Sequence, residues 1–352
     1  MKLESVSSKI EIDYELNVLA IGPLFKSKEK HLLVGTTDGT IKVYLHNKLV
    51  EVLETKGSSI LTLELCDSTN FGDIDIISGD SHGNVVIFSN HQILYRDTIN
   101  GPISSIITHV TSNNDFNIVV GDRLGQVTSI KPHQNVQWKF KVPTLSQTLD
   151  TLKMSQLKEN ESLGICMVIT EQKSQTVKDM VSIVNSVDQF DNSFNYIIIS
   201  ENHNVIHLID QGRKLASISP PSPVNTMCKG YFDSRYKNSI QVLLGCENGF
   251  IYILHDFKLD VYCQVGYPIT ILKTLSLTKP NKNTTTPTLD HVICTGDFNS
   301  LKIYSNRNLI CDHILEDWVS TLAIGDIENS GESLIVIGKL NNTIEFLKPV
   351  EY

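Results

Sequence analysis

The sequence predicts an all-β fold: a seven-bladed β-propeller of four-stranded antiparallel blades, with eight blades as the alternative. Three observations predict it. One hairpin-like stretch recurs seven times. A short apolar run lies upstream of each copy and, in most units, another lies downstream. An alternating run near the amino terminus can supply the outer strand that the last unit lacks.

The recurring stretch is LLVGTTDGTIKVY at 32–44, IISGDSHGNVVIF at 76–88, IVVGDRLGQVTSI at 118–130, IIISENHNVIHLI at 197–209, VLLGCENGFIYIL at 242–254, VICTGDFNSLKIY at 292–304 and IVIGKLNNTIEFL at 335–347. Each copy is an apolar run, a small residue, three turn residues, a second special position and an alternating run. The first column reads Gly35, Gly79, Gly121, Ser200, Gly245, Thr295 and Gly338. The second reads Gly39, Gly83, Gly125, Asn204, Gly249, Asn299 and Asn342. Gly and Asn are the residues that enter left-handed backbone most cheaply, as a tight hairpin turn requires. A phosphate-binding loop would be followed by a helix. Period-2 alternation such as Ile41, Val43 or Val85, Ile87 follows instead, so the glycines of the first column and all of the second are read as structural turn positions.

First strands are expected at 17–23, 59–65, 103–110, 181–187, 224–231, 269–277 and 319–327, and outer strands at runs such as 48–55 and 92–99. A unit of four strands over about 42–50 residues is the size of a propeller blade. The interval from Gly121 to Ser200 is nearly two periods. Within it, 150–157 and 164–170 resemble the first two strands of an extra unit that lacks room for its outer strands. Residues 140–180 are therefore read as an irregular insertion or degenerate blade. After the last hairpin only LKPVEY remains, too short for an outer strand. The run 9–15, with Ile10, Ile12 and Tyr14 alternating, is expected to close the ring and make residues 1–352 one domain.

Composition narrows the function. The net charge is −9 and the 30 Lys and Arg form no basic tract, which argues against a nucleic-acid partner. No secretory leader or bilayer-spanning apolar run is evident, so a cytoplasmic place without membrane insertion is expected. The 7 cysteines are scattered and never in CxxC, as for reduced thiols rather than zinc ligands. No cofactor is expected.

No enzyme constellation stands out. His203 and His207 would lie about 13 Å apart along a strand, too far to share a metal. Asp73 with Asp75, and Asp188 with Asp191, fall in interstrand loops, and no GxSxG elbow occurs. Trp138 and Trp318 are candidates for partner contact or for blade packing. The tract 279–288, KPNKNTTTPT, reads as a polar loop between the first two strands of one unit.

The stretch IGDIENSGESLIVIG at 324–338 is the clearest of three loops linking first and second strands; ELCDSTNFGDIDIISG at 64–79 and KGYFDSRYKNSIQVLLG at 229–245 are eroded copies. It resembles the FG-GAP repeat of integrin-α-type propellers. Asp326, Glu328 and Ser330 sit at alternate positions, as oxygen ligands of calcium would, but Leu334 stands where that family places a late acidic ligand. The alternative is an Asx turn made by Asp326. Along the whole chain the sequence is similar to the integrin-α FG-GAP repeat-containing protein 2 family, with kaptin and the propellers of the Bardet-Biedl syndrome complex as relatives at nearly the same level. The resemblance implies a non-enzymatic scaffold subunit with protein partners. Within the KICSTOR complex such a subunit would serve amino-acid control of TOR signalling, peripherally at the lysosome. The alternative is a coat or trafficking subunit of the Bardet-Biedl type. No residue carries either role by motif.

Overall fold

The computed structural model describes residues 1–350 except 7–8, 70–71, 111–115, 133, 135, 143–165, 174–192, 201–203, 237–239, 256 and 278–288. Among the described residues the strands form seven antiparallel sheets, and the one helical element is a single 3-10 turn, Ser234–Tyr236. Blade 1 runs Leu16–Pro23, Lys30–Thr36, Thr40–Leu45 and Lys48–Glu54 from channel to rim. Blade 2 runs Ile60–Cys66, Asp75–Asp80, Asn84–Ser89 and Gln92–Thr98, and blade 3 runs Ile103–Val110, Phe116–Asp122, Gln126–Ile130 and Trp138–Lys141. Blade 4 is Cys166–Lys173, Ser193–Ser200, Ile206–Asp210 and Arg213–Ile218. Blade 5 is Val224–Gly230, Gln241–Cys246, Phe250–His255 and Lys258–Gln264, and blade 6 is Ile269–Leu275, His291–Gly296, Phe298–Ser305 and Asn308–Ile314. Blade 7 is Val319–Gly325, Leu334–Lys339 and Thr343–Val350, completed from the amino terminus.

The seams between blades hold the core. Seven hydrophobic clusters each draw on two neighbouring blades, including Leu16, Leu32 and Val34 of blade 1 against Val336, Ile344 and Phe346 of blade 7. Each inner strand except that of blade 4 begins with a buried aliphatic residue followed by a β-bulge: Leu16, Ile60, Ile103, Val224, Ile269 and Val319. The bulge adds one residue, so the next buried position falls three residues on, at Leu19, Leu63, Ile106, Met227, Leu272 and Leu322.

The first glycine column answers to these knobs. A Cβ on Gly35 would lie 2.8 Å from Ile60 Cγ2, one on Gly79 2.5 Å from Ile103, one on Gly245 2.7 Å from Ile269 and one on Gly338 2.6 Å from Leu16. Each of these glycines is a notch for the knob of the next blade, and the last notch takes the knob of blade 1. The glycines of the column, Gly35, Gly79, Gly121, Gly245 and Gly338, expected at turns, lie inside second strands instead, as do Ser200 and Thr295, and at Gly35, Gly79, Gly245 and Gly338 the close approach of the neighbouring blade sets the size.

The second column turns the chain. Gly39, Gly83, Gly125 and Gly249 have φ of 84°, 85°, 80° and 76°, and Asn342 has 59°. Their N–H groups donate to Thr36, Asp80, Asp122, Cys246 and Lys339 carbonyls. Asn299 differs. It lies within the strand Phe298–Ser305, without positive φ, because Gly296 already pairs with Phe298 around a tighter turn at Asp297. Asn204 directly follows residues outside the description, and Ile206 begins the third strand of its blade.

Three further expectations change. The inner strand of blade 4 is Cys166–Lys173, in register with Ser193–Ser200. The run expected for it, 181–187, lies outside the described residues, as do 150–157 and most of the supposed insertion. Antiparallel pairing requires matched register, not the short connection assumed from the other blades. Ring closure uses Lys2–Ser5 on Leu347–Val350 and then Ile10–Glu11 on Thr343–Ile344, so only part of the run 9–15 is a strand. The segment LKPV extends the third strand, because Lys2–Ser5 covers it.

Closure is reinforced by charge. Lys339, fully buried, donates to Glu345 Oε2 at 3.1 Å, and Ser5 Oγ donates to Glu345 Oε1 at 3.1 Å. Lys9 pairs with Glu316 at 2.9 Å.

Replacing Gly79 by Ala forces a methyl against Ile103 and should cost about 1–3 kcal/mol in urea unfolding. Combining Gly79→Ala with Ile103→Ala should cost less than the two single changes summed; strict additivity would contradict a direct knob-in-notch contact.

Candidate functional site

The candidate calcium loop is a backbone cap. Asp326 Oδ1 accepts from Ser330 N at 2.9 Å and Oδ2 accepts from Gly331 N at 2.7 Å, with Asn329 and Gly331 at φ 53° and 84°. Lys30 Nζ stands 3.9 Å from the same carboxylate. Asp67 repeats the arrangement in blade 2, accepting from Gly72 N at 2.7 Å with Gly72 at φ 85°. In both loops the carboxylate lone pairs meet N–H groups four or five residues on, a wider closure than the two-residue Asx turn. Glu328 takes no part in the bonds around Asp326, and no group of three or more His, Cys, Asp or Glu suited to a metal exists among the described residues.

The third such loop is built differently. Asp233, 1% exposed, is held by Arg235 at 3.0 Å and by Arg307 Nε of blade 6 at 2.6 Å. Gln241 Oε1 accepts from both Phe232 and Asp233 N–H groups at 2.8 Å. Asp75, fully buried, accepts from Ser68 N and Oγ. His207 is buried in blade 4, with Nδ1 3.1 Å from its cross-strand partner Ser217 Oγ. His203, Asp188, Asp191 and the tract 279–288 lie outside the described residues. Trp138 is half-buried in the outer strand of blade 3, where Gly212 of blade 4 leaves room for its ring. Trp318 is 45% exposed, just before the inner strand of blade 7.

The sequence reading placed outer strands after the third but did not single out the turns that join them. Their two central residues are left-handed: His46 and Asn47, Asn90 and His91, Gln211 and Gly212, Asn306 and Arg307. Such turns match the twist of a two-residue hairpin. Asn and Gly in these dipeptides were the available signal. The second turn residue of two blades reaches back to the preceding blade: His91 to Glu51, with Nδ1 2.9 Å from both carboxylate oxygens, and Arg307 to Asp233.

The first of these contacts borders a pocket of about 490 Å³ in the seam of blades 1 and 2. Phe25, His31, Val50, Glu51 and His91 line it. Phe25 N donates to Ile74 O at 2.8 Å, pinning the floor across the seam, and the His91 ring lies 4.4 Å from the Phe25 ring. Burial lowers the pKa of His31, which leaves its imidazole neutral at pH 7. Leu49, Val50, Val52, Ile93 and Leu94 on the adjoining outer strands are exposed. The pocket can receive an apolar side chain beside a polar or charged group.

Glu64 lies on the inner strand of blade 2, and burial pushes its carboxyl up to about 7, against the pull of Lys273 on the inner strand of blade 6. Buried thiols move the same way, Cys246 and Cys263 to about 12. These cysteines are free, and a protonated thiol is a poor nucleophile.

No protein-family model matches the chain, and no curated protein matches it in sequence. Solved structures do share its fold. BBS1N in complex with ARL6DN, soaked with mercury, superposes with a TM-score of 0.67 at 11% identity, over 99% of this chain and 97% of that one. The lead-soaked crystal gives 0.68 at 10% identity, over 99% and 98%. The fold and these neighbours define the class: a seven-bladed β-propeller. Both likenesses are to a propeller crystallised with a protein.

Glu64 generates a pH dependence. Its folded pKa lies above the usual carboxylate value, so the unfolded chain loses the proton first. Stability therefore falls as pH rises from about 4.5 to about 7, then levels. Glu64→Gln should match the parent near pH 4 and exceed it by on the order of 2–3 kcal/mol in urea unfolding at pH 8.

Proposed function

We propose that the chain is a non-enzymatic, protein-binding propeller, one domain over residues 1–352, that serves as a subunit of a larger assembly. The observation that carries this reading is the whole-length likeness to a propeller bound to a protein, BBS1N with ARL6DN. Exposed aliphatic and aromatic side chains support it: Leu49, Val50 and Val52 at one rim, Tyr267, Trp318 and Leu340 at one face. The polar constellations are engaged in structure, with Asp326, Asp67, Asp233 and Asp75 all accepting from neighbouring N–H or O–H groups. No helix among the described residues is long and apolar enough to cross a membrane.

Between the two finer roles, the structural likeness favours a coat or trafficking subunit of the Bardet-Biedl type. The KICSTOR reading, with TOR regulation and a lysosomal place, keeps one specific support. The Asp67 and Asp326 loops are built alike, each aspartate accepting from the glycine five residues on, as a repeated FG-GAP-like loop would be.

Purification of the tagged chain at native expression, followed by mass spectrometry, tests this. Recovery with stoichiometric subunits of a Bardet-Biedl-like coat is the expected result. Recovery with KICSTOR or GATOR subunits selects the second role, and recovery as a lone monomer overturns the subunit reading.

A further inference from the structure

The turns between second and third strands and the links from each outer strand to the next blade all emerge on one face of the ring. The three most exposed large apolar side chains among the described residues, and Trp318, lie on that face within blades 6 and 7 and the links entering them. Tyr267 is 58% exposed, Ile314 78%, Trp318 45% and Leu340 62%. Their supports adjoin one another. The Tyr267 ring lies 6.1 Å from Phe298, Asp297 N donates to Pro268 O at 3.0 Å, Leu315 N donates to Asn299 O at 2.8 Å, and Leu340 N donates to Trp318 O at 3.0 Å. The apolar groups therefore lie on consecutive links and turns of blades 6 and 7, a band in that sense.

Exposed carboxylates border the band, and Lys9 stands among them paired to Glu316. Glu247, on the turn of blade 5 beside Tyr267, and Asp297, on the turn of blade 6, are exposed, and Asp317 is half-exposed with one oxygen capping Trp318 N at 2.8 Å. Among the described residues none of these three carboxylates has a cation partner, whereas Glu316 is paired with Lys9. The same face across blades 1 to 3 carries the exposed cations Lys56, Arg123 and Lys141 together with the exposed carboxylates Asp38 and Glu54. Unpartnered carboxylates thus adjoin the apolar band on blades 5 to 7, while the mixed-charge half of the face carries the exposed Leu124.

An exposed aromatic centre rimmed by unpaired charge is the anatomy of a protein-binding surface, and the sign of the rim selects the partner. We infer that the face formed by Tyr267, Ile314, Trp318 and Leu340 docks a protein partner through a segment in which Lys or Arg alternates with large apolar residues. This rests on the protein-binding reading above and names the place and chemistry that the reading leaves open. The apolar side chains of the segment would cover Trp318 and Leu340, and its cations would meet Glu247, Asp297 and Asp317. High salt should weaken the complex, because the charges lie at the solvent-exposed rim.

The test pans a phage-displayed random peptide library against the full-length chain, then measures the selected peptides by fluorescence anisotropy. Leu340→Asp and Asp297→Lys alter exposed side chains, and melting curves matching the parent confirm that both fold. The expected peptides interleave Lys or Arg with Leu, Phe or Trp and lose about tenfold or more in affinity on each variant. Peptides that bind both variants as tightly as the parent would overturn this surface while leaving the protein-binding reading intact. A library that yields no binder would overturn both. A parent chain that dimerises in solution while Leu340→Asp is monomeric would overturn the inference by assigning the face to a second copy.

Discussion

The molecule depends on one repeated contact: an aliphatic side chain at the start of an inner strand, set into the space left by a small residue in the preceding blade. Ile60 meets Gly35, Ile103 meets Gly79, Ile269 meets Gly245, and Leu16 meets Gly338. The contact is tight because the interior is packed close to the density of a crystal, where one methyl group is felt. It fixes the separation of neighbouring sheets and so the radius of the ring. It is also cyclic. The knob of blade 1 fills the notch of blade 7, so the last seam is made by the same device as the others and then held by Lys2–Ser5 on Leu347–Val350.

Much of this architecture was legible. The two glycine and asparagine columns located all seven hairpins, and the alternating amino-terminal run pointed to closure. The reasons assigned to the columns were only half right. Gly39, Gly83, Gly125, Gly249 and Asn342 do turn the chain through left-handed backbone. Gly35, Gly79, Gly245 and Gly338 are small for the sake of a residue some 25 positions ahead, or at the far end of the chain, and a local reading of turn propensity cannot register such a neighbour. The bulges were hidden too. They place buried residues three apart, as in Leu16 and Leu19 or Ile60 and Leu63, a spacing that in isolation suggests a helix rather than a strand. Blade 4 was misassigned because the expected connection length came from its neighbours, and the pairing of Cys166–Lys173 with Ser193–Ser200 ignores that length.

The candidate sites show the opposite balance. Sequence spacing singled out Asp326, Glu328 and Ser330, but alternation along the chain does not reveal that Asp326 accepts from Ser330 N and Gly331 N, which only the folded loop brings to it. Exposure could not be read at all. Trp318 looked the better candidate for packing, yet the ring of Trp138 is turned toward Gly212 while Trp318 stands 45% exposed. The pocket in the seam of blades 1 and 2 joins Phe25, Glu51 and His91 across two blades, a juxtaposition that only the ring geometry creates. A propeller whose polar groups are occupied in turns and seams leaves its rim and faces for partners, and this division of labour underlies the functional reading.

Native-state hydrogen exchange, read by mass spectrometry on the full chain, tests the ring most directly. Seams built alike and closed cyclically should open together, so the inner strands of blades 1, 2, 6 and 7 and the segment Lys2–Ser5 should share one high free energy of exchange. Early, independent exchange of Lys2–Ser5 and blade 7, with the remaining blades still protected, would contradict a ring in which the last seam equals the others.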